Sequence, residues 1–318
     1  MSKLTAGVLA LALNVAPIFA LAPATRAEAP IEVPAAAQAR IETLVPGTTT
    51  GAAFLNVKRI FALYGDLITH APQYSQVEQA IAAGFPDPAN DLDQIGVTSN
   101  IENFANSSAG VVITGHVDMD KLMKFAATQH LTFTPSMYRG VTPMTSKLDN
   151  RSTQVGFVDE NTTLVSIDEK GEGTHEGTKS IIATLKKESP SFGEHNLLTL
   201  PANYLANLSL QIPAELTGSL DGVAGGQFAV LKAVKFLAAS VTADDRTKDA
   251  NLQVTLSCDT AENAGAINTL LQTLAASLNG AGHGTELLQQ LKITLEGKNV
   301  VLSLTIPRSE MEHLVGNN

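Results

Sequence analysis

His175 and Glu176 stand side by side, and imidazole and carboxylate can both ligate zinc or carry protons. A zinc-protease helix would need a second histidine four positions on, where Lys179 stands instead. Gly171, Gly173 and Gly177 surround the pair, so the expectation is a solvated loop without metal. The seven histidines are scattered, and no two form a close pair at ligand spacing. Asp87, Asp91 and Asp93 could gather oxygens for calcium. The stretch lacks the glycine and terminal glutamate of a calcium loop, and two prolines stiffen it, so a polar loop is the better expectation.

Gly280-Ala281-Gly282-His283-Gly284 superficially resembles a phosphate cradle. Such a cradle follows a strand, whereas this one follows a helical stretch and has no Walker lysine and hydroxyl. A helix–helix connection is expected there. Neither a Gly-x-Ser-x-Gly elbow nor a Ser-x-x-Lys pair is present, so a hydrolase would have to assemble its site from distant residues. Cys258 is the sole cysteine and cannot form an intramolecular disulfide. Strand period places it with Leu252 and Leu256, as a small buried hydrophobe rather than a nucleophile. Asn106, Asn150, Asn161 and Asn207 match the glycosylation acceptor pattern. No catalytic, cofactor-binding or metal-ligating residue is assigned on this reading, and no cofactor is expected.

The elements that would position any site are clearer. Leu252, Val254 and Leu256 alternate with Gln253, Thr255 and Ser257, which predicts a strand with one buried face. Ala264, Ile267, Leu270, Leu271, Leu274, Ala275 and Leu278 then recur at helical spacing as one apolar stripe. Asp259 and Glu262 suggest a capping box at its start. Val57 to Ile68, Tyr74 to Ile81 and Met119 to Ala126 predict further helices, the first capped by Asn56 and the last by Asp118.

Hairpins are expected around Asp159-Glu160-Asn161 and around Glu296 to Asn299. Pro135 and Pro143 suit edge strands, since proline cannot donate to a ladder. Val111 to Ala126 and Leu252 to Leu270 both run strand, aspartate, amphipathic helix. Leu208 to Pro213 echoes Leu302 to Pro307. The predicted class is α+β, with mostly antiparallel sheets, amphipathic helices packed on one face, and two related halves.

Met1-Ser2-Lys3, an apolar core from Leu4 to Leu13 and an Ala-rich exit form a signal-peptide pattern, with cleavage expected after Ala24 or Ala27. The organisation expected is therefore a signal peptide over 1–27 and an extended lead-in over 28–47. A first α+β half over 48–190 and a second over 191–318 follow. Cleavage after Ala27 removes Lys3 and Arg26, leaving the chain more acidic than its formal charge of −10. Nucleic acid and anionic membrane surfaces are poor partners for such a chain, and no stable membrane insertion is expected after cleavage. There is no Trp and there are only four Tyr, which disfavours aromatic sugar- or peptide-binding platforms.

With its Pro46-Gly47-Thr48 start and its closing hairpin and short helix, the chain resembles exported bacterial proteins of unknown function built from tandem α+β units. The resemblance implies a secreted domain and supplies no catalytic residues. The expected role is a periplasmic or secreted, non-catalytic binding or structural module whose partner is a protein or a small apolar ligand. A carrier holding an apolar ligand against Val254, Leu270 and Leu274 is the alternative, and a secreted hydrolase the third.

Overall fold

A computed structural model describes residues 41, 44–46, 49–70, 74–82, 84–101, 107–128, 132–148, 151–159, 161–168, 175–188, 200–201, 203–212, 226–280 and 289–316. Strand β1 (Gly51–Leu55) leads into α1 (Val57–Thr69) and α2 (Tyr74–Ala82). Next come β2 (Leu92–Ile101), β3 (Ser107–Gly115) and α3 (Met119–Thr128). β4 (Phe133–Pro135), β5 (Met144–Leu148), β6 (Arg151–Asp159) and β7 (Thr162–Asp168) precede α4 (Glu176–Leu185). The second half holds β8 (Tyr204–Gln211), a 3-10 helix (Gly226–Ala233), β9 (Val234–Ala243), β10 (Ala250–Cys258) and α5 (Ala261–Gly280). It closes with β11 (Lys292–Glu296), β12 (Asn299–Ile306) and α6 (Arg308–Gly316).

All twelve strands join one sheet in the order β11-β12-β10-β9-β8-β1-β2-β3-β7-β6-β5-β4. Every described pairing is antiparallel. The boundary expected near 190 would lie between α4 and β8. It does not separate two sheets, because β8 pairs directly with β1. Short β4, which ends in Pro135, is one edge of the sheet, as the proline predicts.

Helix starts follow their capping side chains. Asn56 Oδ1 accepts from the Arg59 amide at 3.1 Å, and Asp118 Oδ1 from the Lys121 amide at 3.1 Å. At α5 the cap is one residue later than the Asp259–Glu262 box suggests. Thr260 Oγ1 accepts from the Asn263 amide at 3.1 Å, while Asp259 Oδ1 takes the Asn263 side-chain amide at 2.8 Å. The cap lies three residues before the amide it receives, and α5 begins at Ala261, so Thr260 occupies that position.

The helices pack on both faces of the sheet, not on one. On the front, Ile181 and Ile182 of α4 meet Phe54, Val112 and Leu164. On the back, Ile60, Tyr64, Leu67 and Ile68 of α1 meet Leu205, Leu55 and Val241. Leu122 of α3 covers Ile95 and Ile113, and Ile267 of α5 covers Val300, Leu256 and Leu302. The reason lies in the strands. β1 and β3 are apolar at both parities, as in Ala52-Ala53-Phe54-Leu55 and Val111-Val112-Ile113, so both their faces need cover. β10 alternates cleanly and needs only one.

Three hydrophobic residues of the stretch expected as an extended lead-in are buried. Ile41, Leu44 and Val45 belong to the front core, with Ile41 lying beside Gly96. Their spacing of three and four places all three on one helical side, so they bury apolar surface instead of running exposed.

Side chains lock the two halves along α1. Tyr64 donates its hydroxyl proton to the Lys248 carbonyl at 2.9 Å, in the turn between β9 and β10. Arg308 at the start of α6 donates to the Leu63 carbonyl at 3.0 Å and pairs with Asp66 and Glu312. Arg59 pairs with Asp245. Among the described residues no helix is long and apolar enough to cross a membrane.

Candidate functional site

Three places could in principle do work: a buried histidine network, a small surface pocket and an apolar row across the back of the sheet.

The structure moves His175 out of the solvated loop that its glycine neighbours suggest. His175 is 3% exposed and sits at the N-terminal end of α4 with φ 46° and ψ 42°. Its Nε2 lies 2.9 Å from Ser152 Oγ on β6, and its Nδ1 lies 3.0 Å from Ser166 Oγ on β7. Thr178 Oγ1 donates to Ser166 Oγ at 2.7 Å. One neutral tautomer satisfies the chain, with Ser166 donating to Nδ1 and Nε2–H donating to Ser152.

Glycines allow this close approach. A Cβ on Gly177 would stand 2.4 Å from the Ala109 carbonyl oxygen, so α4 rests almost directly on the backbone of β3. No local pattern announces the network, because its members stand on β6, β7 and the start of α4 and meet only once those elements are packed. Ser152, Ser166 and Thr178 are all buried, so the hydroxyls and imidazole lock α4 to the sheet and offer no open nucleophile.

The pocket has a volume of about 340 Å³ and lies where α2 ends near the start of α3. Ile81, Phe85, Pro86, Asp91, Asp118, Lys121 and Lys124 help line it. Its carboxylates are already engaged. Asp91 Oδ2 accepts from the Asp87 amide at 2.8 Å, and the Lys121 amide beside Asp118 holds that carboxyl below its usual range. Among the described residues no histidine, serine or cysteine lines this pocket, so they supply no nucleophile paired with a base.

The other sequence candidates disperse. Asp87 organises its own turn through the amides of Ala89 and Asn90, and Asp93 pairs with Lys58 at 2.9 Å. Among the described residues no three His, Cys, Asp or Glu side chains gather as a metal site. His116 is exposed. His195, His283, Asn106 and Asn150 lie outside the described residues, as does the glycine-rich stretch beyond Gly280. Asn161 is exposed in the β6–β7 turn, but Asn207 is buried on β8 and closed to modification in the folded chain. Cys258 is buried as expected, and burial together with nearby Asp259 raises its thiol pKa.

The back of the sheet is organised differently. Ala53 pairs with Leu208, Leu208 with Ala239, Ala239 with Val254, Val254 with Leu302, and Leu302 with Ile293. In the other direction Ala53 pairs with Val97, then Val111, Val165, Val155 and Met144. Directly opposed residues share a face, so one apolar row crosses eleven of the twelve strands. Of these residues only Val155 is buried, and Leu208 at the middle is 39% exposed.

α1 covers one end of the neighbouring strands and α5 the other, leaving the centre of the row half-covered. The stripe of α5 is not wholly packed either. Leu270 is half-buried and Leu274 is 40% exposed, while Ala264 and Ile267 at its N-terminal end are sealed. In the second half the front of the same strands is polar, with Ser240, Gln253, Ser303 and Lys292 opposed in turn. The sheet there is solvated on one side and apolar on the other.

No protein-family model matches the chain, and no curated protein matches it. Among solved structures it is similar to crystal form IV of TP0453, at 12% identity and a TM-score of 0.46. That similarity covers 87% of this chain and 95% of the other, and is too slight to bear on function.

Proposed function

We propose that this protein is an exported, non-catalytic binding module of the bacterial envelope or secreted fraction, and that it binds its partner through the apolar row. The observation that carries the reading is Leu208, a large apolar residue at the middle of the sheet that is 39% exposed. An apolar strip of this length, flanked by helices and backed in the second half by a polar face, is an arrangement suited to association. Export rests on the signal-peptide pattern of residues 1–27.

The alternative is a carrier of an apolar ligand, held between the sheet and α5. Half-buried Val254 and Leu270, with exposed Leu274, favour it. The hydrolase reading has less support, because the described histidine–serine network is sealed in the core.

The two halves also run through similar sequences of elements, and we ascribe this to duplication. In the first, β1-β2-β3 is followed by α3 and by β7 pairing back on β3. In the second, β8-β9-β10 is followed by α5 and by β12 pairing back on β10.

Titration with an anilinonaphthalene dye tests the binding surface. Saturable binding by the folded protein is expected, weakened about tenfold or more by Leu208→Lys and unchanged by Gln253→Lys on the polar front. Equal binding by both variants would remove the proposal.

A further inference from the structure

The two edges of the sheet are unlike. β4 has three residues and ends in proline, which blunts it, whereas β11 has five residues and no proline. Lys292, Thr294, Leu295 and Glu296 are exposed, Leu295 by 46%. β11 and β12 are joined by a two-residue turn at Gly297 and Lys298, with Glu296 and Asn299 as the closing pair. Gly297 has φ 60°, a left-handed conformation that suits glycine there.

In such a hairpin the closing pair exchanges backbone hydrogen bonds, and the pairs alternate from there. Lys292, Thr294 and Glu296 therefore direct their backbone groups at β12. The N–H and C=O groups of Ile293 and Leu295 point away from the sheet, and among the described residues no strand lies beside them.

We propose that β11 pairs antiparallel with β11 of a second copy of this chain, about a two-fold axis through Thr294. In that register Ile293 of each copy faces Leu295 of the other, and these are the residues whose outward backbone groups need partners. Four backbone hydrogen bonds close the pair. Lys292 then lies opposite Glu296 of the other copy, twice, at non-hydrogen-bonded positions where side chains approach most closely. A shift one way sets Lys292 against Thr294 and Glu296 against Gln290, and the other way sets Glu296 against Thr294 and Lys292 against Lys298, so charge selects the register. The apolar back faces also become continuous, because Ile293 and Leu295 lie on the same side as Leu302 and Val300. A strand edge that is self-complementary in hydrogen bonds, charge and apolar side chains is suited to an isologous dimer.

Sedimentation equilibrium of the purified chain tests this. The wild type is expected to dimerise at micromolar concentration, and more weakly as salt rises. Lys292→Glu alone and Glu296→Lys alone should each raise the dissociation constant about tenfold or more, since each replaces two attractions with two repulsions. The combined exchange, Lys292→Glu with Glu296→Lys, should restore it to within about threefold of the wild type. Leu295→Pro should abolish the dimer by removing an outward donor that β12 does not use. A monomer at about 200 µM would overturn the proposal, as would a double exchange no tighter than its single parents, or single exchanges without effect. All three charge variants lie on exposed positions, so their folding is a control that circular dichroism can verify.

Discussion

Tyr64 couples the two halves, and its ionisation allows that coupling to be measured. Its ring is buried on α1 against Leu205 and its neighbours, and its hydroxyl donates to the Lys248 carbonyl. Burial, partly offset by Arg308, pushes its pKa up from the ordinary 10.0 to about 12. A folded-state pKa raised above the unfolded one means that the folded protein holds this proton more tightly. The stability it contributes is complete below pH 10 and is lost as pH rises towards 12.

Well inside that window each pH unit costs about 1.4 kcal/mol, and because the folded group is itself half-ionised near pH 12, this residue alone removes about 2 kcal/mol by then. Tyr64→Phe loses the hydrogen bond, about 1 kcal/mol, but keeps the packing and cannot ionise. The wild type should therefore be the more stable protein at pH 9, and the variant the more stable one by about pH 11. Guanidinium unfolding followed by circular dichroism, pH by pH, gives the difference directly. Curves for the two proteins that stay parallel from pH 9 to 11 would refute the burial of this hydroxyl in the seam.

Two glycines make opposite predictions. Gly177→Ala drives a methyl group to 2.4 Å from the Ala109 carbonyl oxygen and must lift α4, at a cost of about 2 to 4 kcal/mol in unfolding free energy. Gly265→Ala on α5 meets nothing within 4 Å and should stabilise by about 0.5 to 1 kcal/mol in the same assay.

Most of the elements were legible because their signals are local. The alternation at Leu252 to Ser257, the helical spacing from Val57 to Ile68, and the turn at Gly297 each depend on residues close in sequence. Hidden features were those that depend on distant partners. Nothing near β1 announces that β8 lies against it, and it is this pairing that turns two halves into one sheet.

The Ser152–His175–Ser166 contacts bring together residues from β6, β7 and the start of α4, so a glycine-flanked histidine read locally as exposed. The choice of face was partly readable. Continuous apolar runs in β1 and β3, against the alternation of β10, already distinguish strands covered on two sides from strands covered on one. The apolar row was not readable, since it exists only once the registers of eleven strands are fixed.

Because the chain has no tryptophan, a single introduced one reports its own surroundings without background. Leu208→Trp places it at the middle of the apolar row, and Gln253→Trp places it on the polar front of the same sheet. Titration with a brominated long-chain alcohol, a heavy-atom quencher of tryptophan emission, compares the two faces. Saturable quenching at position 208 with little at 253 is the expected result. Quenching that is equal at both positions and rises linearly with the alcohol would contradict the assignment of this face as the binding surface.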